Sequence, residues 1–347
     1  METLLLEMDD ASITESLKKA GALIRQGETV VFPTETVYGL GANALDGEAV
    51  KKIFLAKGRP GDNPLIVHIA EVEAVDGLVA KVPEKARALM DAFWPGPLTL
   101  IMARGEIIPE EVTAGLSTVA IRLPSGDIAH RLIQEAGVPI AAPSANISGR
   151  PSPTKGEHVL EDMLGKVSAI LIREDVEVGL ESTVVDMTTE PPTLLRPGGI
   201  TVRDLTAVIG EVDISPNITE NVIPEEVKSP GMKYTHYSPE GEVLIVKGTD
   251  EERVAKILSH IKVLAKNGDT SIGILATDET MGNYHKGIII SLGSREDPAE
   301  MSRNLFDRLR IFDEMKVKHI FAEDIPVTND TLAIINRLYK SAGYQFI

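Results

Sequence analysis

Thr29-Val30-Val31-Phe32-Pro33-Thr34-Glu35-Thr36-Val37-Tyr38-Gly39-Leu40-Gly41-Ala42-Asn43-Ala44 is the stretch on which the fold turns. Its first four residues, β-branched or aromatic, predict a buried strand. Its last six match the G-x-G-x-x-A pattern of a dinucleotide-binding turn, and the apolar spacing over 48–56 predicts a helix soon afterwards. An NAD-dependent dehydrogenase is therefore one reading. Against it stands Pro33–Tyr38, because a dinucleotide-binding fold turns from its strand directly into the glycine loop.

Working outward, Ser12-Ile13-Thr14-Glu15 has the spacing of a capping box, and Ile13, Leu17, Ala20 and Ile24 recur at helical intervals until Gly27 stops them. Strand patterns follow over 65–69, 98–102, 119–123, 139–142, 169–172, 183–186 and 193–195. Helical patterns occupy 84–93, 128–136 and 158–164. This alternation predicts an α/β catalytic domain with a large mixed sheet over 1–210. From 211 to 240 the pattern weakens around Pro216, Pro224, Pro230 and Pro239, as expected of a long connection. Strands over 243–246, 271–276, 287–291 and 319–322, with helices over 251–265, 299–315 and 331–341, then predict a smaller, Rossmann-like doubly wound α/β domain over 241–347. A length of 347 residues fits two cores better than one.

The formal net charge of -17, acidic in both halves, argues against strong nucleic-acid binding, whose affinity comes mainly from Lys and Arg meeting phosphates. There is no Cys, hence no disulfide, thiolate nucleophile or Cys-ligated metal. The histidines show no zinc-ligand spacing, so no dedicated metal site is expected. No apolar run approaches the ~20 residues that span a bilayer, and Met1–Glu7 lacks a basic leader. A cytoplasmic protein without a membrane partner is the expectation.

No G-x-x-x-x-G-K-[ST] occurs, so a nucleotide would have to be held without a P-loop. Lys57-Gly58-Arg59-Pro60-Gly61-Asp62-Asn63-Pro64 puts two cations at the end of a helix that Gly and Pro terminate. They could grip a phosphate, or merely complement the helix dipole and face water. Arg122 lies inside the apolar strand Val119-Ala120-Ile121-Arg122-Leu123, where a guanidinium needs either a structural carboxylate or a substrate's. Pro143-Ser144-Ala145-Asn146-Ile147-Ser148-Gly149 clusters short donors suited to close approach of a ligand, or to a plain turn. His68, on an apolar strand, reads by itself as a core histidine. Cations and hydroxyls without a triad, a carboxylate pair or a redox group suit catalysis by positioning and charge neutralisation.

Phe32–Gly41, Lys57–Leu65, Trp94–Leu98, Pro143–Asn146, Glu181–Val184 and Leu195–Gly198 together resemble the YrdC-like threonylcarbamoyl-AMP synthases, and Pro230–Pro239 resembles the connection of their two-domain members. The resemblance implies a nucleotidyltransferase that condenses L-threonine, bicarbonate or CO2, and ATP into L-threonylcarbamoyladenylate and pyrophosphate, the first step of t6A37 synthesis in tRNA. It implies catalytic roles for Lys57, Arg59, Ser144 and Asn146. It further implies a threonine pocket of Thr36, His68, Arg122, Ala142 and Ser182, and ATP contacts from Arg59, Asn63, Thr118, Ser144, Ser152, Arg196 and Tyr234. Mg2+ would arrive with ATP, and a transferase complex of the t6A pathway would act downstream. The segment around Tyr234, His236 and Tyr237 then reads as a lid over the site. A rival reading, drawn from the same resemblance, is a module that binds double-stranded RNA; the acidic balance opposes it.

Overall fold

The computed structural model describes residues 2–9, 12–173, 176–218 and 236–347. They separate into two units, Met1–Ser148 with Ser152–Tyr234, and Gly149–Pro151 with Thr235–Ile347.

The first unit begins with β1 (Leu4–Glu7), α1 (Ile13–Arg25), β2 (Val30–Phe32), β3 (Gly39–Asn43), α2 (Gly47–Lys57) and β4 (Ile66–His68). It continues through α3 (Val75–Leu78), α4 (Glu84–Phe93), β5 (Leu98–Ala103), α5 (Glu110–Thr113), β6 (Thr118–Arg122), α6 (Asp127–Ala136) and β7 (Ile140–Ala141). It closes with α7 (Gly156–Met163), β8 (Ala169–Ile172), β9 (Thr183–Asp186), β10 (Thr193–Arg196), α8 (Val202–Ile209) and β11 (Asp213–Ile214). The strands form one eleven-stranded sheet in the order β1-β8-β2-β3-β7-β4-β6-β5-β9-β10-β11, with parallel and antiparallel neighbours mixed. Under one part of it, α1 and α6 bury Leu17, Ile24, Leu132 and Ile133 against Phe32, Ile140 and Leu171.

The glycines of the opening stretch lie in strand β3, paired antiparallel with β2. A Cβ on Gly41 would stand 2.6 Å from Ile140 Cγ2 and 2.7 Å from Phe32 Cε1, so these glycines let the Phe32 ring cross the sheet face, and phosphate binding does not explain them. Helix α1 starts where expected, but without its capping box: Ser12 Oγ donates to Glu7 O and Asp9 Oδ1, and Ser12 N is taken up by Asp9 Oδ1. Asp9, a good acceptor immediately upstream, outcompetes the Glu15 arrangement. The first unit also runs past 210. Strand β11 pairs with β10, and Asn217 and Ile218 are buried; a two-residue exposed strand leaves no periodicity to read.

The second unit holds β12 (Glu242–Val246), α9 (Asp250–Lys266), β13 (Ile272–Ala276), β14 (Ile288–Ser291), α10 (Pro298–Glu314), β15 (His319–Glu323) and α11 (Leu332–Ser341). Its four strands are all parallel, ordered β12-β15-β13-β14, the doubly wound arrangement expected from alternating strand and helix patterns. Thr249 caps α9 with a formed capping box to Glu252, and Pro298 opens α10 behind the cap Asp297.

Candidate active site

The register of the central strands sets five residues in a line. His68 on β4 pairs with Arg122 on β6, Arg122 with Thr99 on β5, Thr99 with Val184 on β9, and Val184 with Arg196 on β10. Ladder partners project to one face, so pairing alone gathers His68, Arg122 and Arg196, which are far apart in sequence.

The Pro33–Tyr38 loop ties other segments to this line. Pro143 O accepts from Leu40 N at 2.9 Å, Tyr38 O from Ala145 N at 2.8 Å, and Pro153 O from Tyr38 N at 2.9 Å. Glu35 O accepts from Val178 N at 2.8 Å, and Thr36 O from Gly179 N at 3.1 Å. Pro97 O takes Thr183 N at 2.9 Å. A Cβ on Gly198 would fall 2.3 Å from Thr183 N, so only glycine lets Leu195–Gly198 lie against Glu181–Thr183.

Arg122 has found a structural carboxylate, Glu35, which the sequence reading did not single out. The pair is buried, 2.6 Å from Nη2 to Oε1. Nη1 donates to Thr36 Oγ1 at 3.0 Å and Nε to Gly96 O at 3.4 Å, which leaves two of the five guanidinium N–H groups without a partner among the described residues. The hydroxyls beyond have a fixed direction. Thr34 Oγ1 gives its proton to Val37 O at 2.7 Å, so across the 2.8 Å contact Thr36 must be the donor, and toward a ligand Thr36 can only accept. Burial pushes the Glu35 carboxyl up, but the charge and hydrogen bond of Arg122 outweigh it and hold the group below the usual carboxylate range. His68 is pushed down to about 3, first by burial and then by the Arg122 charge, and is neutral. Its Nδ1 lies 3.1 Å from Ile66 O; a carbonyl cannot donate, so Nδ1 carries the proton and Nε2 is an acceptor.

Lys57 and Arg59 do not face water: they are 3% and 8% exposed. Lys57 Nζ donates to Ser144 O, to Asn146 O at 2.6 Å and to Asn146 Oδ1 at 3.4 Å, drawing the Pro143–Asn146 loop onto the end of α2. Ser144 Oγ donates to Asn146 Oδ1 at 2.6 Å. Arg59 Nη2 donates to Asn63 O at 3.2 Å. Asn63 itself is fully buried, yet neither Oδ1 nor Nδ2 has a hydrogen-bond partner among the described residues. An orphaned buried amide is costly, and the missing bonds can come from a ligand or an ordered water; the buried amide of Asn217 is in the same position, so this feature alone does not mark a site.

Ser182 Oγ meets Thr99 Oγ1 at 2.7 Å and accepts from Arg196 Nη2 at 3.0 Å, while Arg196 Nε donates to Ser182 O at 2.9 Å. Ser152 Oγ donates to Glu181 Oε1 at 2.5 Å. Ala142 N donates to Ile66 O beside His68, and Thr118 opens β6. Tyr234 lies outside the described residues, and with it the central part of the expected lid. Beyond Glu35, the sequence reading also passed over Thr34, Thr99 and Glu181. A search for the carboxylate that a buried Arg122 demands would have found Glu35, in a loop that is buried throughout.

Buried cations and hydroxyls on a row of sheet strands, with two further buried cations and an orphaned amide at the end of α2 and in the loop after it, and no P-loop, are the kind of groups that suit an anionic ligand. A family profile described as "Telomere recombination", covering Sua5, YciO and YrdC, matches residues 22–198, and one described as "Threonylcarbamoyl-AMP synthase, C-terminal domain" matches 200–343. The chain is 44% identical to a threonylcarbamoyl-AMP synthase of Pyrococcus abyssi over 99% of both chains. It is 47% identical to one of Bacillus subtilis, over 95% of this chain and 94% of that one. The structure superposes on that of P. abyssi Sua5 complexed with L-threonine with a TM-score of 0.93, covering 100% of this chain and 99% of the other at 44% identity. The chain belongs to the Sua5/YciO/YrdC family, in its two-domain form. No described helix is long and apolar enough to cross a membrane.

Proposed function

We propose that this chain is a threonylcarbamoyl-AMP synthase, condensing L-threonine, bicarbonate or CO2, and ATP into L-threonylcarbamoyladenylate and pyrophosphate, for the t6A37 modification of tRNA. The observation that carries the reading is the Arg122 pocket: spare guanidinium donors beside two acceptors, Thr36 Oγ1 and the neutral His68 ring, fit the carboxylate and amino ends of an amino acid. The likeness to a threonine-bound relative supports L-threonine as the amino acid.

In the reaction, the threonine amine forms a C–N bond to CO2 and loses a proton, giving a carbamate. A carbamate oxygen attacks the α-phosphorus of ATP, and the bond to the β-phosphate oxygen breaks as pyrophosphate leaves. Thr36, His68, Arg122, Ala142 and Ser182 hold threonine. Arg59, Asn63, Thr118, Ser144, Ser152, Arg196 and Tyr234 contact the nucleotide, which enters as its Mg2+ complex. Lys57 acts by shaping the loop that carries Ser144 and Asn146. The chemistry asks of these groups alignment and neutralisation of charge. The catalytic domain, the 211–240 connection and the second domain are proposed as three functional parts, in a cytoplasmic protein that hands its product to a t6A-pathway transferase complex.

The test is pyrophosphate release from ATP and Mg2+ with L-threonine and bicarbonate each omitted in turn. Release that needs both supports the reading; release indifferent to threonine overturns it.

A further inference from the structure

Glu35 is not among the residues assigned above to either substrate, yet the threonine pocket is arranged around it. Its Oε1 accepts from Arg122 Nη2 at 2.6 Å, and its Oε2 from Gly126 N at 3.3 Å. The main chain on either side is equally fixed: Glu35 O is bonded to Val178 N, and Thr36 O to Gly179 N. Gly126 has no room for a side chain, since its Cβ would stand 3.0 Å from Glu35 N and 3.3 Å from Thr34 C. The loop after β6, which carries Arg122 at its end, is thus clamped onto the loop that carries Glu35.

We propose that Glu35 is the positioning residue of the threonine pocket: it holds one edge of the Arg122 guanidinium so that the other donors stay turned to the substrate carboxylate, and its charge keeps the pocket selective for amino acids. The proposal rests on the synthase reading. Two physical points support it. A long guanidinium side chain without a fixed partner samples many rotamers, and a carboxylate that is itself held by Gly126 N and the buried backbone removes that freedom before substrate arrives. A buried Arg without a counter-charge would also attract any small carboxylate; with Glu35 beside it the empty pocket is nearly neutral, and a ligand gains by bringing a positive end as well. The direction of the hydroxyl chain agrees, because Thr36 Oγ1 is left as an acceptor for an amine.

The experiment compares wild type with Glu35→Gln, which keeps the shape and removes the charge. Circular dichroism checks the fold, calorimetric titration with L-threonine gives Kd, and the KM for ATP is measured alongside. The amine-lacking analogue 3-hydroxybutyrate is the second probe. Expected are a threonine Kd raised at least tenfold, a KM for ATP within twofold of wild type, and 3-hydroxybutyrate becoming a competitor of threonine that wild type ignores. A folded Glu35→Gln protein with wild-type threonine affinity overturns the proposal, and so does a parallel loss of threonine and ATP affinity, which marks a merely structural ion pair. Should this variant not fold, Glu35→Asp retains the charge but shortens the reach by one methylene. A several-fold higher threonine Kd is then expected, and an unchanged one overturns the proposal. Wild type that neither binds threonine nor releases pyrophosphate fails the synthase reading instead, a separate outcome.

Discussion

Each unit buries a knot of charge at strand ends, and the two knots are finished differently. In the second unit Glu323, at the end of β15, is 2% exposed and saturated: it accepts from Thr277 N, Thr277 Oγ1, Thr280 Oγ1 and Tyr284 OH. Arg295 spans the same end, giving Nη1 to both Asp250 oxygens at 3.0 and 3.1 Å and Nε to Thr277 Oγ1; its Nη2, 4.0 Å from Glu323 Oε2, has no hydrogen-bond partner among the described residues, so the contrast rests on the acceptor Glu323 and not on every donor around it. These bonds lace together the loops that follow all four parallel strands. In the first unit Arg122 spends only part of its donors on Glu35, Thr36 and Gly96, and Asn63 leaves both amide atoms unanswered. A saturated acceptor such as Glu323 stabilises its fold; an unsatisfied group is kept at a cost, and the cost makes sense where a ligand completes the set. Burial of charge by itself therefore does not mark a site.

The sharpest way to break this contrast is Arg122→Lys. An ammonium cannot hold Glu35 and present a fork to a second carboxylate at once. Threonine-dependent pyrophosphate release, as kcat/KM for threonine, should fall by roughly 100- to 1,000-fold. A fall below tenfold would mean that Arg122 is a structural partner of Glu35, like Arg295 in its own knot.

Acid should strain the first unit selectively. His68 has its folded-state value depressed to about 3 from an ordinary 6.5, so in that window the unfolded chain takes up a proton that the native ring refuses. Stability contributed by the neutral ring is thus complete above pH 6.5 and is lost as pH falls toward 3, by up to about 1.4 kcal/mol per pH unit. Glu35 acts in the same direction only below its ordinary value of 4.5, while Asp313, pushed up to about 6 by burial, acts in the opposite direction in this window, so the difference in denaturant midpoint between wild type and His68→Gln from pH 6.5 to 4.5 reads the histidine. The same slope in a His68→Gln protein would assign the effect elsewhere.

Much of this was legible in the residues. Strands over 169–172 and 183–186 fall where apolar runs between turn residues put them, and the burial of Arg122, with a carboxylate beside it, follows from its place in an apolar strand. What could not be read are facts of register. Nothing local to His68, Thr99 or Arg196 says that they stand in one row, because strand order follows from pairing over long sequence separations. Glu35 was missed for a related reason: Thr34–Tyr38 has the polar composition of an exposed loop, and only the segments that close over it make it buried. The capping box at Ser12 failed to form because a nearer acceptor, Asp9, was available.

In the second knot, Glu323→Gln should cost stability and spare chemistry. One carboxylate oxygen becomes an amide that faces donors, either the Thr277 and Thr280 groups or Tyr284 OH, for a loss of about 2 to 3 kcal/mol in denaturant unfolding. Threonine-dependent pyrophosphate release per folded molecule should stay within twofold of wild type. A large drop in kcat from a folded Glu323→Gln protein would make this knot a functional site after all and erase the contrast.

The smallest effect on stability, and the most diagnostic, belongs to Asn63. A buried amide with partners loses stability when it is removed, since those partners are left unpaired. Asn63 has none among the described residues, so Asn63→Ala forfeits no hydrogen bond in the free protein. It trades the desolvation of an unsatisfied amide against a small cavity, two terms of similar size and opposite sign, each about 1 to 2 kcal/mol. The melting temperature should therefore move by no more than a few degrees in either direction, while the KM for ATP rises about tenfold or more as the nucleotide loses its amide contact. With saturating ATP analogue present, wild type should gain more thermal stability than the variant, because only wild type has bonds waiting to be made. Equal stabilisation of the two proteins would show that the amide is orphaned without a ligand to serve, and Asn63 would then be a defect of the fold with no part in the site.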